Sequence, residues 1–259
     1  MSNKDPILEL RGVSKSFGAV QALYKVDFHV APGQVMALVG DNGAGKSTLI
    51  KSIAGIHTID EGEVVFDGQP VSIHGPKDAA KLGIEVVYQD LALCDNLDIV
   101  ENMFLGRERT NRLGLDDVRM EILARETLDT LHERTVTSVR QKVASLSGGQ
   151  RQTVAIAKAV LWESKLVVLD EPTAALGVAQ TRQVLDLVRR LADQGIGVVL
   201  ISHNMNDVFE VADRIVTLFL GRVAAEVLRG ETNHTQVVEL ITAGRSGDLG
   251  LQAAEQVQI

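Results

Sequence analysis

Short runs of β-branched and aliphatic residues alternate along this chain with longer stretches whose apolar positions recur every three or four residues. Gln34 to Val39, Leu166 to Leu169 and Val198 to Ile201 carry almost no polar residue, so each predicts a strand buried on both faces of a sheet. Between the last two, Val184, Leu185, Val188, Leu191 and Ala192 fall on one helical face, and Gly195 stands where that helix should stop. The alternation predicts an α/β fold on a largely parallel sheet, with Ile7 to Val13 and Lys25 to Val30 as N-terminal antiparallel strands. From about Asp98 to Trp162 the pattern turns helical, with helices over Val118 to Leu131 and Gly148 to Val160. That stretch predicts one domain over residues 1–242, whose core (1–90 and 161–242) carries an inserted helical subdomain at about 91–160, after Val86-Val87-Tyr88. Residues 243–259 carry Gly244, Gly247 and Gly250 with little periodicity, which predicts a mobile tail.

Composition narrows the function classes. Hydrophobic residues make up 45% and charged residues 23%, an ordinary globular balance that argues against disorder. The net charge of −8 argues against nucleic acid as a partner, because phosphate backbones reward clustered Lys and Arg. The single cysteine, Cys94, excludes an internal disulfide and is expected to act as a small buried or half-buried hydrophobe. No apolar run reaches the ~18 residues of a membrane span, and Met1 to Pro6 lacks the apolar stretch of a secretory signal.

The chemistry starts at Gly40-Asp41-Asn42-Gly43-Ala44-Gly45-Lys46-Ser47-Thr48, which matches G-x-x-x-x-G-K-[ST] between a buried strand and the helical run Ser47 to Ala54. Glycines let the backbone curl until consecutive N–H groups point inward at phosphate oxygens, and the helix dipole adds to their pull. Lys46 is expected to reach the β- and γ-phosphates of ATP, and the Ser47 hydroxyl to ligate Mg²⁺. The strand Leu166 to Leu169 ends in Asp170-Glu171, at the sheet edge where the phosphate loop also sits. Asp170 is expected to hold Mg²⁺ through water, and Glu171 to act as general base on the attacking water. A second anion-binding helix start follows from Leu146-Ser147-Gly148-Gly149-Gln150, although one chain needs only one such start to hold an ATP.

Phosphate loop, Gln89, Leu-Ser-Gly-Gly-Gln, Leu-Asp-Glu-Pro and His203, in this order over roughly residues 7–242, resemble the ATP-binding cassette (ABC) ATPases. The resemblance implies a P-loop NTPase fold: a RecA-like parallel core with N-terminal antiparallel strands and an inserted helical subdomain. It also implies a head-to-tail homodimer, each ATP lying between the Gly40–Thr48 loop of one subunit and the Ser147-Gly148-Gly149 helix start of the other. Gln89 then senses Mg²⁺ and the attacking water, His203 contacts the γ-phosphate, and Phe17 stacks on adenine. One position departs from the pattern: Gly177 stands where many cassettes carry Asp, so the contact which that carboxylate makes across the dimer is not implied here.

The stretch from Gln89 to Leu146 is too short for a long coiled coil, and the chain holds one cassette with no membrane domain. Within the resemblance this points to the separate ATPase subunit of an importer, docked on an integral-membrane permease at the cytoplasmic face of the membrane. Asn102 to Glu108, Asp170 to Gly177, Ile201 to Met205 and Val208 to Arg214 resemble the ATPases of ribose/xylose/fructose-type sugar importers. A periplasmic sugar-binding protein is then an indirect partner. The competing class is a cassette that switches a partner without powering transport, or one that serves another transport class; an intact Glu171 disfavours the pure switch.

Overall fold

The computed structural model describes residues 5–112, 114–131, 136–247 and 249–250. In chain order these form β1 (Leu8–Phe17), β2 (Val20–Val30), β3 (Val35–Gly40), α1 (Lys46–Ile53), β4 (Glu61–Phe66), β5 (Gln69–Val71), α2 (Pro76–Leu82) and β6 (Ile84–Val87). There follow α3 (Ile99–Phe104), the two-residue strands β7 (Thr110–Asn111) and β8 (Gly114–Leu115), α4 (Asp117–Thr130) and α5 (Gly148–Val160). The last third forms β9 (Leu166–Asp170), α6 (Val178–Asp193), β10 (Gly197–Ile201), α7 (Met205–Val211), β11 (Arg214–Phe219), β12 (Arg222–Leu228), α8 (His234–Ala243), β13 (Arg245–Ser246) and β14 (Leu249–Gly250).

A six-stranded sheet in the order β12-β11-β3-β10-β9-β6 carries the molecule; every neighbouring pair is parallel except β11 with β12. A second, antiparallel sheet has the order β2-β1-β4-β5. Both arrangements agree with the α/β expectation. The central strands are apolar throughout because successive side chains enter different cores. Val167, Leu169, Val198 and Leu200 pack with α3, α4, α5 and α6. Leu166, Val168, Val199 and Ile201 point the other way, toward β1, β2, β4 and α1.

Between β6 and β9 the described residues form α3, α4 and α5, joined by loops and the short β7–β8 pair, and Asn102 of α3 fastens the start of this stretch. That side chain is fully buried; it accepts from the Cys94 N–H at 2.7 Å and donates to the carbonyls of Cys94 (3.0 Å) and Asp98 (2.9 Å). Cys94 itself is half-buried. The N-terminal strands run further than their apolar residues predict: β1 continues to Phe17, where the polar Lys15 is held by an ion pair to Asp60 at 2.7 Å. In the C-terminal segment, Arg245–Ser246 pairs with Leu249–Gly250 instead of standing free, and residues 251–259 of the expected tail lie outside the described residues. Among the described residues no helix is long and apolar enough to cross a membrane.

Candidate functional site

The loop after β3 is shaped by backbone that only glycine accepts. Gly40 has φ +154 and a Cβ there would stand 2.5 Å from the Leu218 carbonyl oxygen; Gly45, the residue before α1, has φ +107. The loop therefore lies tight against β11, with Lys46 opening the helix. Its ammonium donates to the carbonyls of Gly40 (2.6 Å) and Asp41 (3.0 Å). Burial pushes the Lys46 ammonium below its ordinary pKa range, and the carboxylates of Glu171, Asp41 and Asp170 oppose that shift.

Parallel strands bring the other groups to the same edge. Asp170 ends β9 in register with Ile201 of β10, so Glu171 and His203 both leave the sheet beside the loop. Glu171 is held at φ +51, an uncommon conformation for a residue with a side chain. Its Oε1 lies 2.8 Å from Nδ1 of His203; the Glu171 side chain is 15% exposed and that of His203 80%. Burial raises the Asp170 carboxyl above the usual range, with Lys46 and Lys51 opposing.

One cavity of about 740 Å³ is lined by Gly40, Asn42, Gly43, Gly45, Lys46, Ser47, Thr48, Gln89, Asp170, Glu171 and His203. Sequence reasoning missed Val20, Gln21 and Ala22 of β2 and Ile241 of α8, which also line it. No local pattern distinguishes those residues from other sheet or helix positions; Asp41, Ile50, Ile201 and Ser202 also line the cavity and had a signal, lying in the phosphate-loop motif, on the helix it opens, and beside His203. Ala44 does not line the cavity: its side chain is buried and its N–H donates to the Asp41 carbonyl at 3.1 Å. Phe17 lies outside the lining as well, exposed and edge-on to His57 with ring centroids 5.0 Å apart, although its strand partner Val20 is at the rim. Ser147, Gly148, Gly149 and Gln150 stand apart from the cavity at the start of α5. There Ser147 accepts from the Gln150 N–H at 3.3 Å and its own N–H donates to Gln150 Oε1 at 2.9 Å, a capping box that fixes the helix start.

Residues 23–174 match the profile of the ABC transporter family. The chain belongs to that family. As an ABC protein it is an ATPase, and its fold superimposes on a dimeric ATP-binding cassette, MJ0796, bound to ADP and Pi. That match has a TM-score of 0.72 at 27% identity and covers 86% of this chain and 98% of the other. The chain is 47% identical over 245 residues to the xylose/arabinose import ATP-binding protein XylG of Sulfolobus acidocaldarius, covering 95% of this chain and 97% of that one. It is 50% identical over 226 residues to the fructose import ATP-binding protein FrcA of Rhizobium meliloti, covering 85% and 87%. For this ABC ATPase, the Ser47 hydroxyl, Gln89 amide and Asp170 carboxylate form an oxygen-only donor set around one cavity, the chemistry that suits a small hard divalent cation. Among the described residues no group of three or more His, Cys, Asp or Glu could hold a metal by itself, so phosphate and water have to complete such a shell.

Proposed function

We propose that this chain is the ATP-hydrolysing subunit of a monosaccharide importer. The observation that carries the proposal is the convergence of Lys46, Gln89, Asp170, Glu171 and His203 on one cavity beside a glycine-shaped loop. Backbone N–H groups of Gly43 and of Gly45 to Thr48 and the Lys46 ammonium cradle the ATP phosphates, and Ser47, Gln89 and Asp170 would hold Mg²⁺. When bound, such a cation would supply positive charge to offset that of the triphosphate. Glu171 takes the proton of the attacking water, oriented by its contact with His203, while Gln89, on the same cavity, senses the water and His203 meets the γ-phosphate. The exposed Ser147 and Gly148 at the start of α5 complete the ATP site of a second copy, head to tail, and Phe17 borders the adenine. A permease docks near Gln89 at the membrane, fed by a sugar-binding protein; the import names of the two relatives support a sugar as cargo.

Glu171→Gln tests the chemistry. Turnover should fall by about 10²–10⁴-fold, the usual worth of a general base, with ATP binding retained and an ATP-bound dimer accumulating. Unchanged hydrolysis would remove Glu171 from the mechanism. Uptake of a pentose or fructose by vesicles carrying the chain with its permease tests the cargo.

A further inference from the structure

Glu171 and His203 sit on separate loops, one leaving β9 and the other β10, and a 2.8 Å contact between them demands that the two loops keep a fixed spacing. Their direct contact is half in solvent, since the His203 side chain is 80% exposed, so it cannot supply that rigidity alone. One step behind the cavity stands a carboxylate that the chemistry above does not use. Asp207, on α7, is 4% exposed and does not line the cavity. Its two oxygens are divided between the two loops. Oδ2 accepts from the Thr173 hydroxyl at 2.5 Å, two residues after Glu171; Oδ1 accepts from the Asn204 side-chain amide at 2.9 Å, next to His203. Asn204 is itself braced, its N–H donating to the buried Ser202 hydroxyl at 3.0 Å and its Oδ1 accepting from the Asn206 N–H at 3.1 Å.

We propose that Asp207 is a positioning residue for hydrolysis: it clamps the Glu171 loop to the His203 loop through Thr173 and Asn204, and so sets the place of the base. A carboxylate only 4% exposed, with two short, geometrically separate donors, resists relative slip of the loops, because a slip deprives one of its oxygens of its donor. Asp207 never meets ATP; it acts through Glu171 and His203. The inference rests on the assignment of those two residues to hydrolysis.

Three substitutions test it on the full chain, with folding checked by circular dichroism and gel filtration. Thr173→Val keeps the shape and removes the donor; Asp207→Asn keeps the volume and sets an amide against one of its two donors; Thr173→Ser keeps the hydroxyl. The first two should each lower kcat by about tenfold or more, the scale of a small misplacement of a reacting group, with KM for ATP within about twofold of wild type. Thr173→Ser should keep most of the rate, and the double variant Thr173→Val/Asp207→Asn should be no slower than the slower single. A wild-type kcat in folded Thr173→Val, or equal losses in Thr173→Val and Thr173→Ser, overturns the clamp. The parallel Glu171→Gln measurement separates the two failures. If Glu171→Gln is inactive and Thr173→Val is not, the clamp alone falls; if Glu171→Gln hydrolyses normally, the assignment beneath it falls.

Discussion

Substituting alanine at Gly45 and, separately, at Gly43 isolates how tightly the phosphate loop is held. Both glycines have positive φ, +107 and +83, so both variants carry backbone strain of about 1–3 kcal/mol. They differ in what the new methyl meets. At Gly43 nothing lies within 4 Å. At Gly45 the Cβ stands 2.8 Å from the Ala22 carbonyl oxygen and 2.9 Å from Leu23 Cδ2, both on β2, and the first cannot rotate away. Overpacking of that kind costs roughly 1–3 kcal/mol more. At roughly 2–4 °C per kcal/mol for a domain near this size, Gly45→Ala should melt about 2–12 °C below Gly43→Ala. Scanning calorimetry of the two proteins without nucleotide reads the difference directly. Because Ala22 and Gly45 line the same cavity, the displaced loop should also bind ATP more weakly, which titration calorimetry measures. Equal melting of the two variants would refute the close approach of β2 to the loop.

Two other outcomes are specific. Burial raises the Glu85 carboxyl above its ordinary value despite the Arg107 guanidinium 2.6 Å away, so the folded state binds that proton more tightly than the unfolded chain. Ionised Glu85 therefore costs stability at neutral pH, and the cost disappears as pH falls from the raised value toward 4.5. Glu85→Gln should melt no lower than wild type at pH 7 and lose any advantage near pH 4.5; a marked loss at pH 7 would show that the ion pair outweighs burial. For the head-to-tail arrangement, Ser147→Arg and Lys46→Ala should each be inactive alone. Mixed one to one, they should recover up to about a quarter of the wild-type rate, because half of the dimers carry one intact site. No recovery would count against sites shared between subunits.

Some of this was legible because local chemistry and tertiary role coincide. The runs Gln34 to Val39, Leu166 to Leu169 and Val198 to Ile201 predict interior strands, and the observed β3, β9 and β10 differ from them only by a residue at either end. The start of α5 was readable because Ser147 and Gln150 satisfy each other within one turn. What escaped depends on residues far apart in the chain. Strand β4, paired with β1 on one side and β5 on the other, opens with the exposed Glu61 and Glu63, so its pattern lacks the apolar run that marks β3, β9 and β10. Ile241 reaches the cavity from α8, some two hundred residues after the loop it faces, and nothing around it in sequence marks that role. Asp207 looks like an ordinary helix carboxylate until the fold sets Thr173 beside it. Phe17 takes its nucleotide role from its neighbours in sequence; its ring stands beside the cavity lining, edge-on to His57, forty residues on.

Of the two glycines at the head of α5, Gly148 is exposed and Gly149 buried, and both are also wedged against the chain that follows Glu171. A methyl on Gly148 would sit 3.1 Å from Leu176 Cδ2, and one on Gly149 3.2 Å from Gln180, whose Oε1 accepts from the Gly177 N–H at 3.2 Å. The stretch from Leu176 to Gln180 begins five residues after Glu171. Added bulk at either glycine would therefore press on the segment that follows the subunit's own Glu171 as well as alter the helix start proposed to serve the other chamber. A defect introduced there would not separate the two chambers. Ser147, whose hydrogen bonds to Gln150 stay within its own helix turn, is the position at which the two chambers can be addressed separately.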